Sequence, residues 1–390
     1  MIRQLAKWLF RISAALLLVL CFSLLFPSVR HAAWTTLFLA DFVSGENPSL
    51  FKRLTDSPTV TNDTLRLATD LQVPFDLYLS PSHERSPAII FTHGFAHEGY
   101  RDPRVQAQSR RLARAGFAVM APDLQQMKHY QLGFEDADAL TGCLAFLQQH
   151  PQIDSTRIGV IAPSFGAGPV LIAISRPQVR DQVQFGLIFG GYFDLKRTLV
   201  YTLTGAYDAE GQAGLIDPSK NRHNRWKFLR GNAHLLPHSS SREQFLQFVE
   251  TKRRDPGLDI RPVLPKLDPA EARTLAFMDN ENPALFDSLF ATIPGAFHAW
   301  IDTLSLRHYA ADITAPLLIV HSRGDNKVHF SESLTLARNL PNAHPPLIVG
   351  LFSHVDLKLE WSSFGVLWNE VLPGLGKLWS LAHRLLGYRD

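Results

Sequence analysis

Arg157-Ile158-Gly159-Val160-Ile161-Ala162-Pro163-Ser164-Phe165-Gly166-Ala167-Gly168-Pro169-Val170-Leu171-Ile172 is the stretch that decides the fold. An apolar run of strand length enters a five-residue turn, Ala162 to Gly166, and small and apolar residues follow. The order is strand, sharp turn, helix, with a serine at the apex. Such an elbow lifts the hydroxyl clear of the sheet and sets the next backbone N–H and the helix's positive end near any oxyanion that forms. A serine held this way is poised for nucleophilic acyl transfer. Ser-x-Gly alone carries no information, because both residues are common and a turn serine capping a helix has the same signature. The surroundings must supply the rest.

Working outward, short apolar runs alternate with helical stretches. From Thr64 the pattern is strand-like, with Leu65 and Leu67, then Val73, Phe75, Leu77 and Leu79, as in an antiparallel hairpin at a sheet edge. Ala88 to Phe91 and Phe117 to Ala121 predict strands, with a helix from about Asp102 to Ala115 between them. The next helix carries Ala137, Leu140, Leu144 and Leu147 on one stripe, and Val183 to Phe189 predicts another strand. Continuous apolar strands separated by helices indicate a mostly parallel sheet covered on both faces. The alternation stops over residues 195–313, which hold helical pieces and many aromatics, and this insertion predicts a helical cap over the sheet's carboxyl edge. It resumes with Leu317 to Val320, a helix around Glu332 to Leu340 and a strand at Pro346 to Val349. A closing helical stretch follows, with an apolar stripe of Trp361, Phe364, Leu367 and Trp368.

A nucleophilic serine needs a base, and the base needs an orienting acid. Asp325 lies on the loop leaving the strand Leu317 to Val320, and His354 on the loop leaving the final strand. Both fall at the edge where the serine sits. Asp356 and Asp194 are weaker substitutes for the acid. Thr92-His93-Gly94-Phe95 follows the strand Ala88 to Phe91; Gly94 allows close approach of the chain, so the Phe95 N–H can join the Phe165 N–H as an oxyanion hole. His93 is expected to support that loop. The bland readings of these residues are a turn aspartate and a surface histidine, one of 16.

From about Thr64 to the C-terminus the chain resembles the α/β-hydrolase superfamily, and within it the dienelactone-hydrolase-like and prolyl-oligopeptidase-like serine esterases. The motifs are His93-Gly94-Phe95, the elbow at Ser164, Arg323-Gly324-Asp325 and Ser353-His354, with Phe189-Gly190-Gly191-Tyr192-Phe193-Asp194-Leu195 similar to a segment of bacterial, often membrane-tethered, members. The resemblance implies Ser164 as nucleophile, His354 as general base and acid, and Asp325 as orienting acid, with no cofactor and no metal. Two departures stand out: Ala162 replaces the usual first glycine of the elbow, and a serine stands where dienelactone hydrolases proper carry cysteine. The implied activity is hydrolysis of a carboxylic ester with a hydrophobic group. The alternatives are a lactonase, a small-amide hydrolase, or an inactive membrane-tethered binding protein.

The 390 residues are 46% hydrophobic and 19% charged, an ordinary globular composition with an added apolar segment. The formal charge of +3 comes from the leader: removing Arg3, Lys7 and Arg11 from the 39 basic residues leaves 36, matching the 36 acids. That balance gives no reason to expect nucleic acid as a partner. Cys21 and Cys143 show no metal-ligand spacing, and a disulfide is not expected. Basic residues precede an apolar run from Ile12 to Phe26, and no small pair marks a cleavage site, so residues 1–31 predict an uncleaved signal anchor; a cleaved signal peptide and a cytoplasmic apolar arm are the alternatives. An anchor of this charge places the catalytic part outside the cytoplasm, and cleavage would make it secreted. The expected organisation is anchor 1–31, juxtamembrane amphipathic and linker segment 32–62, catalytic core 63–194 with 314–390, and cap 195–313. Two basic stretches of the cap, Arg222 to Phe228 and Lys252 to Arg254, are expected to be solvated helix faces rather than a surface for anionic headgroups.

Overall fold

A computed structural model describes residues 25–81, 84–209, 211–357 and 364–390. The predicted anchor over 1–31 thus falls mostly outside the described residues, as does Trp361 of the C-terminal stripe. Among the described residues no helix is long and apolar enough to cross a membrane.

In chain order the principal elements begin with helix α1 (Pro27–Ser44) and strands β1 (Thr59–Arg66), β2 (Gln72–Leu79) and β3 (Ser86–Phe91). Helix α2 (Pro103–Arg114), strand β4 (Ala118–Pro122), helix α3 (Glu135–Gln149), strand β5 (Ile153–Pro163), helix α4 (Ala167–Ile174) and strand β6 (Val183–Phe189) follow. The insertion holds α5 (Leu195–Thr204), α6 (Arg222–Asn232), α7 (Arg242–Arg254), α8 (Pro269–Asp279) and α9 (Gly295–Thr303). The chain returns to the sheet with β7 (Leu317–Ser322), α10 (Ser331–Asn339) and β8 (Leu347–Val349), and ends in α11 (Leu372–Gly387).

The strands form one sheet in the order β1-β2-β4-β3-β5-β6-β7-β8. β1 pairs antiparallel with β2, and β2 antiparallel with β4; every later pairing is parallel. This is the α/β-hydrolase fold: a mostly parallel sheet, helices on both faces, and a serine elbow at the carboxyl end of a central strand. Its period-two alternation is visible in the packing. Ala88, Ile90, Val160, Ala162, Ile188 and Ile319 enter the core shared with α3, α4 and the cap. Ile89, Phe91, Ile161 and Leu318 instead face α1, α2 and α11. Each fully buried Val, Ile, Leu or Phe contributes about 1.5–3 kcal/mol, so a one-residue slip in register, which would exchange the two faces, is strongly disfavoured. Helix α2 starts where expected, with Asp102 as N-cap accepting the Arg104 N–H at 2.9 Å.

Three stretches differ from the sequence reading. The hairpin begins at Thr59, not Thr64, because the polar alternation Thr59 to Asp63 lies on an edge strand whose side chains stay mostly in water. Of the segment 32–62, expected to be part amphipathic and part linker, the first part is helical to Ser44 and packs on the folded body. The Asp41 carboxylate accepts from Arg111 Nε at 2.7 Å, and Phe38 lies against Phe51. In the cap, Arg225, Trp226 and Lys252 are buried, not solvated. Arg225 donates to the Leu203 and Met278 carbonyls, and Lys252 to those of Pro256 and Leu258 with Asp279 at 2.7 Å. These cations bind internal carbonyls at helix ends, a role that charge alone does not reveal.

Candidate active site

Strand β5 delivers Ser164 at φ +54°, in the left-handed region that costs a non-glycine residue about 1–2 kcal/mol. The turn is packed tightly against the loop after β3: a Cβ at Gly166 would lie 2.6 Å from the His93 carbonyl oxygen. Ala162, in the place of the usual first glycine, is fully buried beside Ile188 of β6. His354 sits at the tip of a two-stranded turn, Phe352–Ser353 with Asp356–Leu357, also at positive φ (+59°).

These backbones bring three side chains into one hydrogen-bonded chain. Ser164 Oγ donates to His354 Nε2 at 2.7 Å, and His354 Nδ1 donates to Asp325 Oδ2 at 2.5 Å. The other carboxylate oxygen, Asp325 Oδ1, accepts the backbone N–H groups of Lys327 and Val328 at 2.8 and 3.1 Å. Burial opposes the charge on Asp325. The charge interaction with His354 and hydrogen bonds from His321 and His354 outweigh it and hold the carboxyl well below its usual range. The carboxylate therefore stays ionised and fixes which ring nitrogen of His354 carries the proton.

The loop after β3 passes directly over the serine. A Cβ on Gly94 would stand 3.3 Å from both the Pro163 carbonyl oxygen and Ser164 Cβ, so only glycine lets the chain run this close without a shift. The rings of Phe95 and Phe165 stack at 4.8 Å, bringing the two residues together. Among the described residues neither their N–H groups donate to a backbone carbonyl. His93 lies beneath the loop: its Nδ1 donates to the Gly94 carbonyl at 2.8 Å, and its Nε2 accepts the Leu124 N–H at 3.1 Å. Burial lowers its pKa and keeps it neutral, which that pair of bonds requires.

The substitute acids are occupied elsewhere. Asp194 caps α5 through the Arg197 N–H and pairs with Arg307, and the exposed Asp356 pairs with Arg104 at 3.3 Å. Sequence reasoning missed His321. It is buried on β7, accepts from Ser333 Oγ at Nδ1 (2.7 Å), donates to the Val328 carbonyl from Nε2 (2.8 Å), and lies 3.3 Å from Asp325 Oδ2. Its signal is a histidine inside an otherwise apolar strand, four residues before the acid. Tyr201 of the cap was also missed; its hydroxyl donates to the Asp325 carbonyl at 2.6 Å. Among the described residues no cluster of three His, Cys, Asp or Glu side chains is arranged to hold a metal ion.

Ser164 and His354 open on a cavity of about 670 Å³, walled by cap residues such as Leu199, Phe228 and Trp300 on one side. That volume suits a small organic molecule.

No protein-family model and no curated protein matches the chain. Among solved structures it is similar to an acylaminoacyl peptidase from Pyrococcus horikoshii (16% identity, TM-score 0.49, covering 87% of this chain and 42% of that one). A dienelactone hydrolase from Anabaena variabilis gives 14% and 0.43, covering 84% and 97%. A hypothetical protein from Pseudomonas aeruginosa gives 15% and 0.47, covering 85% and 95%. The chain spans less than half the length of the acylaminoacyl and dipeptidyl peptidases it matches. With every one of these TM-scores below 0.5, the fold rests on the strand order and the elbow themselves.

Proposed function

We propose that this chain is a serine hydrolase that cleaves a carboxylic ester through an acyl-enzyme. The observation that carries this reading is the continuous chain from Ser164 Oγ through His354 to Asp325, at 2.7 and 2.5 Å, on a serine held at positive φ. In the proposed reaction His354 Nε2 takes the proton of Ser164 Oγ as the oxygen attacks the ester carbonyl carbon. Asp325 holds the ring and balances the imidazolium. The tetrahedral oxyanion lies between the Phe95 and Phe165 N–H groups. The imidazolium then gives its proton to the leaving alkoxide oxygen, and the alcohol departs. A water deprotonated by the same Nε2 attacks the acyl carbonyl, and Ser164 leaves with its proton restored.

A fluorophosphonate probe tests the site. Wild type is expected to be labelled, Ser164→Ala not at all, and His354→Ala weakly, with hydrolysis of p-nitrophenyl esters following the same order. Folded wild type that takes no label and cleaves no ester would overturn the reading in favour of an inactive binding protein. Parallel assays on lactones and anilides rank the acyl bonds; a lactone or anilide preferred over every ester would overturn the ester assignment.

The reading includes a location. The basic-then-apolar leader supports an N-terminal anchor with the catalytic part outside the cytoplasm. Resistance to alkaline carbonate extraction, together with cleavage by protease added to the non-cytoplasmic side, is the expected result; release into the soluble fraction would sink it.

A further inference from the structure

The cavity beside Ser164 has a second compartment that the hydrolase reading does not use. On the side away from the cap it runs over the face of the sheet, beneath α1 and α11. The sheet supplies Phe91, Ile161, Leu187, Phe189 and Val320, from four adjacent strands. The helices close it with Leu39, Phe42, Leu378, Leu381 and Leu385. Phe352, two residues before His354, joins the compartment to the site, its ring 4.8 Å from Phe189 and 6.4 Å from Phe42. Gln108 also lines it, but accepts from Arg111 at 2.7 Å.

Protein interiors are packed like organic crystals, and an unfilled apolar volume costs stability in proportion to its size. Here Leu39, Phe42, Leu187, Phe189 and Leu381 stay only half-buried although sheet and helices enclose them. The cap side is mixed in chemistry: Thr198, Thr202, Asn224 and Lys227, with Lys327 from the loop after β7, join its apolar wall. Asp102, Arg104 and Asp356 also line the cavity, tied to one another. On the cap side these polar groups are mixed with apolar ones, Leu199, Phe228 and Trp300 among them, whereas the compartment under α1 and α11 is lined by hydrocarbon apart from Gln108.

We infer that the compartment under α1 and α11 binds the alkyl chain of a medium- or long-chain acyl group, while the cap side receives the alcohol portion. The inference rests on the hydrolase reading for its chemistry: the chain enters as part of the ester and remains on Ser164 in the acyl-enzyme. α1 is then a wall of the substrate site, although it lies before the first strand and far in sequence from the serine.

The test uses the full chain in amphipol, so that no detergent tail competes. With p-nitrophenyl esters from acetyl to dodecanoyl, kcat/KM is expected to rise by up to about fourfold per added methylene before levelling. Leu39→Trp and Leu381→Trp fill the compartment from opposite walls, and each should collapse the decanoyl-to-acetyl ratio at least tenfold. Ala40→Trp, on the exposed side of α1, should leave the ratio as in wild type. Laurate binding to Ser164→Ala, measured by calorimetry, tests the compartment without any chemistry; binding at least tenfold tighter than butyrate, lost in Leu39→Trp, is expected. A flat or falling chain-length profile overturns the inference, as does a ratio untouched by both tryptophans, or laurate bound no better than butyrate. Laurate bound by a protein that neither takes fluorophosphonate nor cleaves esters would leave the compartment standing and overturn the hydrolase reading alone.

Discussion

At the scale of single residues, the site depends on two backbones that most side chains could not share. Ser164 sits at positive φ, and Gly94 passes 3.3 Å (measured from an added Cβ) from the serine's own Cβ. Gly94→Ala must push the loop back by a few tenths of an ångström and carry the Phe95 N–H away from the oxyanion position. Removing a full oxyanion donor costs about 10²–10³ in kcat, so this partial displacement should lower kcat about tenfold to a hundredfold with the thermal midpoint nearly unchanged. Unchanged kcat in a folded variant would show that Phe95 is not a donor. The elbow serine, the glycine of the loop and the places of Asp325 and His354 could be read in the sequence, because each follows a recognisable strand. His321 was not. A histidine in an apolar strand four residues before Asp325 is a signal, but one that an ordinary packed histidine would give as well.

At the scale of elements, the loop between β7 and α10 carries Asp325, the partner of His354, and must hold a particular shape. His329 helps fix it: the ring stacks on Tyr207 at 4.0 Å, and Nδ1 accepts the Ser331 N–H at 3.2 Å. Burial, reinforced by repulsion from His321, lowers its pKa to about 4. The folded value thus lies below the unfolded value of about 6.5, so the contribution is complete above pH 6.5 and is lost as pH falls toward 4. Between pH 7 and pH 5 this amounts to about 2 kcal/mol. Thermal melts at both values should show wild type losing several degrees on acidification, and His329→Gln losing less. Equal losses in the two proteins would remove His329 from the account. Helices α2 and α3 and strands β3, β4, β6 and β7 lay close to their expected bounds, since apolar periodicity and capping are local signals, whereas β5 starts four residues earlier than expected, at Ile153. The start of β1 did not, because an edge strand in water has no apolar face to announce it.

At the scale of the molecule, α1 belongs to the folded body. Asp41 is buried against Arg111, and although burial raises its pKa, hydrogen bonds from Ser49 and Arg111 hold it below the usual range. Asp41→Ala removes the carboxylate from the buried Arg111 guanidinium and leaves it only neutral acceptors, on Gln108 and the Asp41 and Gly45 carbonyls, a loss of about 3 kcal/mol. Calorimetry should register a thermal midpoint lower by several degrees; a midpoint within a degree of wild type would mean that α1 is not integral to the fold. What the sequence alone determined is the kind of fold and the order of its parts along the chain: strand, elbow serine, the insertion, then the loops that carry Asp325 and His354. Each follows from periodicity and turn chemistry within a window of some ten residues. Only the tertiary structure decided which carboxylate lies against His354, that His321 and Tyr201 support it, that the cap's cations are internal, and that α1 walls an apolar compartment beside Ser164. These depend on where segments such as Ser164 and His354, 190 residues apart, come to rest together, and packing between distant segments leaves no periodic trace in either of them.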